Sequence, residues 1–126
     1  MKYLHTLLII VVLCFSSNSH AYNFRNYSIN EGLSHKTVNC IHKDSDGFIW
    51  IGTTNGLNRF DGYSFTVFSQ KHLKNSLFGA NIIYKITEYS DGKLWLATNN
   101  GIMYFDKKTE TFFPVPLKNQ EQESHI

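Results

Sequence analysis

Asp44, Ser45, Asp46 and Gly47 spell the opening of a calcium loop, with oxygen-bearing side chains running up to a glycine. Such a loop is completed by a bidentate glutamate about six residues past its glycine. The stretch that follows is Phe48–Thr53, "FIWIGT", which has no carboxylate, so these residues are expected to make a turn and no metal is expected. Cys40 and His42 stand two apart and would share one face of a strand, a spacing that lets a thiol meet a base. Their setting, "TVNCIHK", alternates apolar and polar residues, so Cys40 reads more simply as a small buried hydrophobe. Thr53, Thr54 and Asn55 have no paired carboxylates or histidine base beside them. His35, His42, His72 and His125 lack the spacing of metal ligands. The residues point to no catalytic site and no cofactor.

Composition narrows the classes further. Of 126 residues, 42% are hydrophobic and 15% aromatic, which argues for a folded chain. The net charge of +2 is spread without blocks of one sign, so nucleic acid is not an expected partner. Lys2, the apolar run Leu7–Phe15 and the sequence Ser19-His20-Ala21 read as a secretory signal peptide cut after Ala21. The apolar run is about half the ~20 residues a membrane helix needs, so the mature chain is not expected to span a membrane. Leu13 is too bulky before Cys14 for a lipoprotein signal. Cleavage leaves Cys40 as the sole cysteine, and no internal disulfide follows from export.

The elements that must position these residues emerge when the chain is laid on itself. "DGFIWIGTTNGLNRFD" from Asp46 to Asp61 recurs without a gap as "DGKLWLATNNGIMYFD" from Asp91 to Asp106. Asp46, Gly47, Trp50, Thr53, Asn55, Gly56, Phe60 and Asp61 return as Asp91, Gly92, Trp95, Thr98, Asn100, Gly101, Phe105 and Asp106. A repeat of about 40–50 residues is the period of propellers and related arrays. Within each unit the apolar residues alternate, as strands require, and Ser45-Asp46-Gly47, Asn55-Gly56 and Asp61-Gly62 punctuate them as turns. Strands are expected at 38–42, 48–52, 57–60 and 64–68, and again at 82–89, 93–98, 102–105 and 111–115. The fold class is all-β: two four-stranded antiparallel propeller blades, an incomplete ring where closed propellers have about 4–8. Trp50 and Trp95 are expected to fill the layer between blades, and the aspartates to accept hydrogen bonds from turn amides. The expected organisation is a signal-peptide helix at 1–21, a leading strand segment at 22–31, blades at 32–76 and 77–117, and a polar tail at 118–126.

Residues Glu31 to Phe68 resemble the two-component regulator propeller repeat, through Gly32-Leu33-Ser34, Asp46-Gly47, Ile49-Trp50-Ile51-Gly52-Thr53, Gly56-Leu57-Asn58 and Phe60-Asp61-Gly62. The second unit departs mildly, with Ala97 for the glycine, Ile102 for the leucine and no Gly-Leu-Ser lead. The resemblance implies the periplasmic N-terminus of a hybrid two-component sensor, whose parent binds a glycan, is homodimeric and passes its signal to a histidine kinase. Ligand contacts in such sensors come from loops spread over many blades, so the resemblance assigns none to a position here. It also implies that Phe24–Ile29 is an outer strand of a neighbouring blade. The chain is expected to be a non-catalytic fragment of such a sensor, sensing oligosaccharides in the parent. The alternative is a secreted carbohydrate- or protein-binding module completed by self-assembly, and a propeller enzyme remnant is the third reading.

Overall fold

The structure is a computed structural model that describes residue 3, residues 21–69 and residues 82–116. The expected signal-peptide helix, the connection between the repeats and the polar tail lie outside the described residues, as do Cys14, His72 and His125. The elements come in two sets of four. The first set is β1 (Val38–Lys43), β2 (Ile49–Thr53), β3 (Gly56–Phe60) and β4 (Phe65–Phe68). The second is β5 (Ile83–Glu88), β6 (Leu94–Thr98), β7 (Gly101–Asp106) and β8 (Thr111–Pro114). Each set forms its own antiparallel sheet in sequence order. Both sheets carry a register shift at the same place, between Val38 and Cys40 and between Ile83 and Lys85. The repeat in sequence is thus a repeat in backbone detail.

Alternation along the strands assigns the faces. Trp50, Gly52, Leu57 and Phe68 of the first sheet face the second, which answers with Ile83, Ile86, Leu94, Leu96, Met103, Phe105 and Phe112. The core lies between the sheets and contains Trp50 with none of its surface exposed. The Trp50 ring meets Phe105 at 5.4 Å and Phe68 at 5.7 Å between centroids, and Phe68 meets Phe105 at 4.9 Å. Gly52 has no room for a side chain at this seam. A Cβ there would stand 2.6 Å from Cys40 Sγ and 2.9 Å from Ile83 Cβ. Its counterpart Ala97 lies on the far face of the second sheet, and so tolerates the methyl.

The leading segment at 22–31, expected to complete a blade whose other strands lie elsewhere, has no partner strand among the described residues. Residues 21–28 pair with no strand, and Ile29–Glu31 is a single 3-10 turn. The turn is set locally: Ser28 Oγ accepts from Asn30 N at 3.1 Å, Glu31 Oε2 accepts from Ser28 N at 2.6 Å, and Gly32 ends it at φ 107°. This segment crosses the outer face of β3 and β4. Tyr27 packs edge-on against Phe60 at 4.8 Å and Phe65 at 5.8 Å. Leu33 is buried, and Ser34 N donates to Asn58 Oδ1 at 2.9 Å while Asn58 Nδ2 donates to Ser34 Oγ at 2.8 Å. The Gly-Leu-Ser lead is therefore the anchor of this crossing.

Candidate functional site

The signature residues first explain themselves as turn chemistry, in duplicate. Thr53 Oγ1 donates to Gly56 O at 3.1 Å and accepts from Asn55 N at 3.0 Å. Thr98 Oγ1 does the same with Gly101 O at 2.8 Å and Asn100 N at 3.1 Å. Asp61 Oδ1 accepts from Tyr63 N and Ser64 N, both at 2.8 Å, and Asp106 Oδ1 accepts from Lys108 N at 2.8 Å. Gly47 and Gly92 take φ of 93° and 76° in the first turn of each sheet, where an L side chain would be strained. Phe60 and Phe105 lie opposite Ile49 and Leu94 on the neighbouring strands, and Phe105 packs against Trp50 and Phe68 of the first sheet.

Where the two sheets meet, the turns enclose a cleft of about 580 Å³. Ser45, Asp46 and Phe48 line one side, Asp91, Lys93, Asp106 and Lys108 the other, with Arg59 and Lys107 between them. The floor is a charge cluster. Asp44, Asp46 and Glu88 bring a carboxylate oxygen each within 4.8 Å of one another, a grouping that could hold a metal ion. Lys107 Nζ sits among them instead, donating to Asp46 at 2.6 Å, Glu88 at 2.7 Å and Asp44 at 3.2 Å. Glu88 also accepts from Ser45 N at 2.7 Å and Ser45 Oγ at 2.8 Å. The cluster clamps the β1–β2 turn of one sheet to β5 and the β7–β8 turn of the other.

Asp44 is the buried member. Its Oδ1 accepts from Phe48 N at 2.8 Å and its Oδ2 from Trp50 Nε1 at 2.7 Å. Burial alone would raise its pKa, but the bonds from Trp50, Lys107 and the Phe48 amide outweigh it and hold the carboxyl below its ordinary value. The Lys107 bond, followed by those from Ser45, holds Glu88 low against its own burial. Burial opposes the Lys107 charge, yet its three carboxylate partners push its pKa well above the usual lysine value. A second bridge crosses the same seam: Arg59 Nη1 donates to Glu110 Oε1 at 3.2 Å. The guanidinium lies 5.2–5.8 Å from the ring centroids of Phe48, Trp50 and Phe68.

Sequence reasoning singled out Asp44 and Asp46 but missed Glu88, Lys107 and Arg59. Their counterparts in the other repeat are Lys43, Gly62 and Tyr104, so the repeat itself carried no signal for them. Cys40 and His42 do lie on one strand face, but burial pushes the Cys40 thiol up, away from the thiolate a nucleophile needs. His35 Nδ1 is engaged by Thr54 Oγ1 at 2.6 Å and Thr37 N at 3.0 Å. The two repeats part company at one site of consequence. Tyr89 stands where Asp44 stands, and Trp95 Nε1, buried, meets no acceptor among the described residues.

The profile of the family described as "Two component regulator propeller" matches residues 32–55 and 77–100, which hold the first two strands of each sheet. Those residues are similar to two-component regulator propeller repeats. The repeat pair is 26% identical to the extracellular domain of a protein described as a hybrid two component system of B. thetaiotaomicron. The TM-score is 0.66, with 80% of this chain and 14% of that chain covered. The extracellular domain of a B. thetaiotaomicron protein described as a one component system shares the fold, with a TM-score of 0.61 at 23% identity over 84% of this chain and 14% of that one. Over 45 residues the chain is 40% identical to "Histidine kinase P4" of Formosa agariphila, covering 36% of this chain and 3% of that protein. The propeller repeats thus span a small part of the proteins they match. No helix among the described residues is long and apolar enough to cross a membrane.

Proposed function

We propose that this chain is part of the periplasmic, ligand-sensing propeller of a hybrid two-component sensor, exported by residues 1–21 and without catalysis of its own. The observation that carries this reading is the head-to-tail stacking of two two-component regulator propeller repeats, as in extracellular domains of such systems. The ligand we propose is an oligosaccharide. The cleft between the repeats supports that class: it lies within the ~300–1,000 Å³ common for small-ligand sites. It also sets carboxylates, lysines and the Arg59 guanidinium beside the ring of Phe48, donors and acceptors suited to a hydroxyl-rich ligand. In the sensor, the bound sugar would bias a homodimer and thereby the kinase.

Calorimetric titration of residues 22–126 with a panel of polysaccharide-derived oligosaccharides tests the reading. The expected result is saturable binding by one class of sugar, weakened at least tenfold by Arg59→Ala and with the sugar recovered chemically unchanged. A folded chain that binds none of them, or that cleaves one, overturns it.

A further inference from the structure

Charge in the cleft between the repeats is mostly committed, and what remains uncommitted is positive. Asp46 accepts from Lys107 Nζ at 2.6 Å, and Asp91 accepts from Lys93 N at 3.1 Å and Lys93 Nζ at 2.8 Å. Asp106 accepts from the amides of Lys108 and Thr109 at 2.8 and 3.3 Å. Lys107 spends its ammonium on three carboxylates. Lys108 Nζ, at the same cleft, meets no acceptor among the described residues. Arg59 is held among the rings of Phe48, Trp50 and Phe68 and makes a single hydrogen bond to the described residues, from Nη1 to Glu110 Oε1 at 3.2 Å. A guanidinium offers a planar fork of donors that fits a carboxylate bidentately, so most of its capacity is unused here.

Glu110 holds that place lightly. Its side chain is 47% exposed, and it is the non-glycine residue with a positive φ, 52°, among the described residues. It stands in a turn with no equal in the first repeat: Phe60 pairs with Phe65 across four residues, whereas Phe105 pairs with Phe112 across six. Asp106 Oδ1 closes that turn, together with Thr111 Oγ1, which donates to Thr109 O at 2.9 Å. The Glu110 side chain can therefore leave Arg59 without opening the turn.

We propose that Glu110 stands in for a carboxylate of the ligand, and that the cleft takes a uronate oligosaccharide whose carboxylate displaces Glu110 and pairs bidentately with Arg59. The inference rests on the oligosaccharide reading and names its class. Phe48 and Arg59 hold the acidic end, and Lys108 adds an uncommitted positive charge at the same cleft. Because Arg59 stands on β3 of the first sheet and Glu110 in the β7–β8 turn of the second, the exchange unlatches one bridge across the seam and leaves the Lys107 clamp in place.

Calorimetric titration of the full chain with oligomers of galacturonate, glucuronate and mannuronate, each beside its neutral methyl ester, tests this. One acid should bind saturably and at least about tenfold more tightly than its ester. Glu110→Gln keeps the shape and removes the competing charge, so it should tighten the acid about two- to fivefold, the scale of an exposed ion pair, and leave the ester unchanged. Arg59→Lys keeps the charge without the fork and should weaken the acid at least about tenfold. If Glu110→Gln fails to fold, Glu110→Gly, which suits the positive φ, carries the same expectation. Equal binding of acid and ester, binding of neutral sugars alone, or weaker acid binding in the Glu110 variants overturns this inference and leaves the oligosaccharide reading standing. A folded chain that binds no sugar, acidic or neutral, overturns both.

Discussion

Replacing Lys107 with methionine keeps the length of the side chain and removes the one cation that three carboxylates share. Breaking a buried ion pair by deleting one partner costs about 3–5 kcal/mol, most of it the uncompensated charge left behind. Here Asp44 is fully buried and keeps its bonds to Trp50 and Phe48, Glu88 is 14% exposed and keeps Ser45, and Asp46 is 61% exposed and well screened. Discounting for that solvent access gives about 2–3 kcal/mol at pH 7. The pH dependence follows from the directions of the shifts. Asp44 and Glu88 are depressed, so their contribution is complete above the ordinary carboxylate value of about 4 and is lost as pH falls through the folded values. Lys107 is raised, so its contribution is complete below about 10.5 and fades only in strong alkali. In Lys107→Met the carboxylates repel one another and take up protons earlier, so acid relieves the variant while it weakens the parent. Urea unfolding followed by tryptophan fluorescence should therefore show a gap of about 2–3 kcal/mol at pH 7 that narrows by half or more at pH 4.5. An equal gap at both pH values would mean that Lys107 acts through packing alone and would refute the electrostatic account.

Two further substitutions separate the repeats. Trp50→Phe strands the buried Asp44 acceptor and should cost about 1–3 kcal/mol, whereas Trp95→Phe removes a donor that has no acceptor among the described residues and should cost under about 0.5 kcal/mol; equal losses in chemical denaturation would contradict the difference drawn between Asp44 and Tyr89. Gly52→Ala pushes a methyl into Ile83 and Cys40 and should lose about 1–3 kcal/mol, and a midpoint unchanged in thermal unfolding would show that the seam is looser than its distances.

Much of the fold was legible because each repeat writes its own local hydrogen bonds. Thr53 with Asn55 and Gly56, and Asp61 with the next amides, close turns within a few residues, so their spacing survives from one repeat to the next. The leading segment was less legible for the complementary reason: its place depends on residues far along the chain, and Tyr27 packs on the aromatic pair Phe60 and Phe65. Cys40 and His42 share a face as their spacing required, yet only the packed structure decided that burial would push the Cys40 thiol up.

By itself, then, the sequence determined the period, the strands, the turns and the two tryptophans that mark each blade, all properties of neighbours along the chain. Only the tertiary structure decided that Lys107 would reach back across 63 residues to Asp44, that Arg59 would cross to Glu110, and that Trp50 would be sealed while Trp95 stayed half open. Those outcomes depend on which face of one sheet meets which face of the next. The repeat spells both faces alike, and only packing distinguishes the covered one from the bare one.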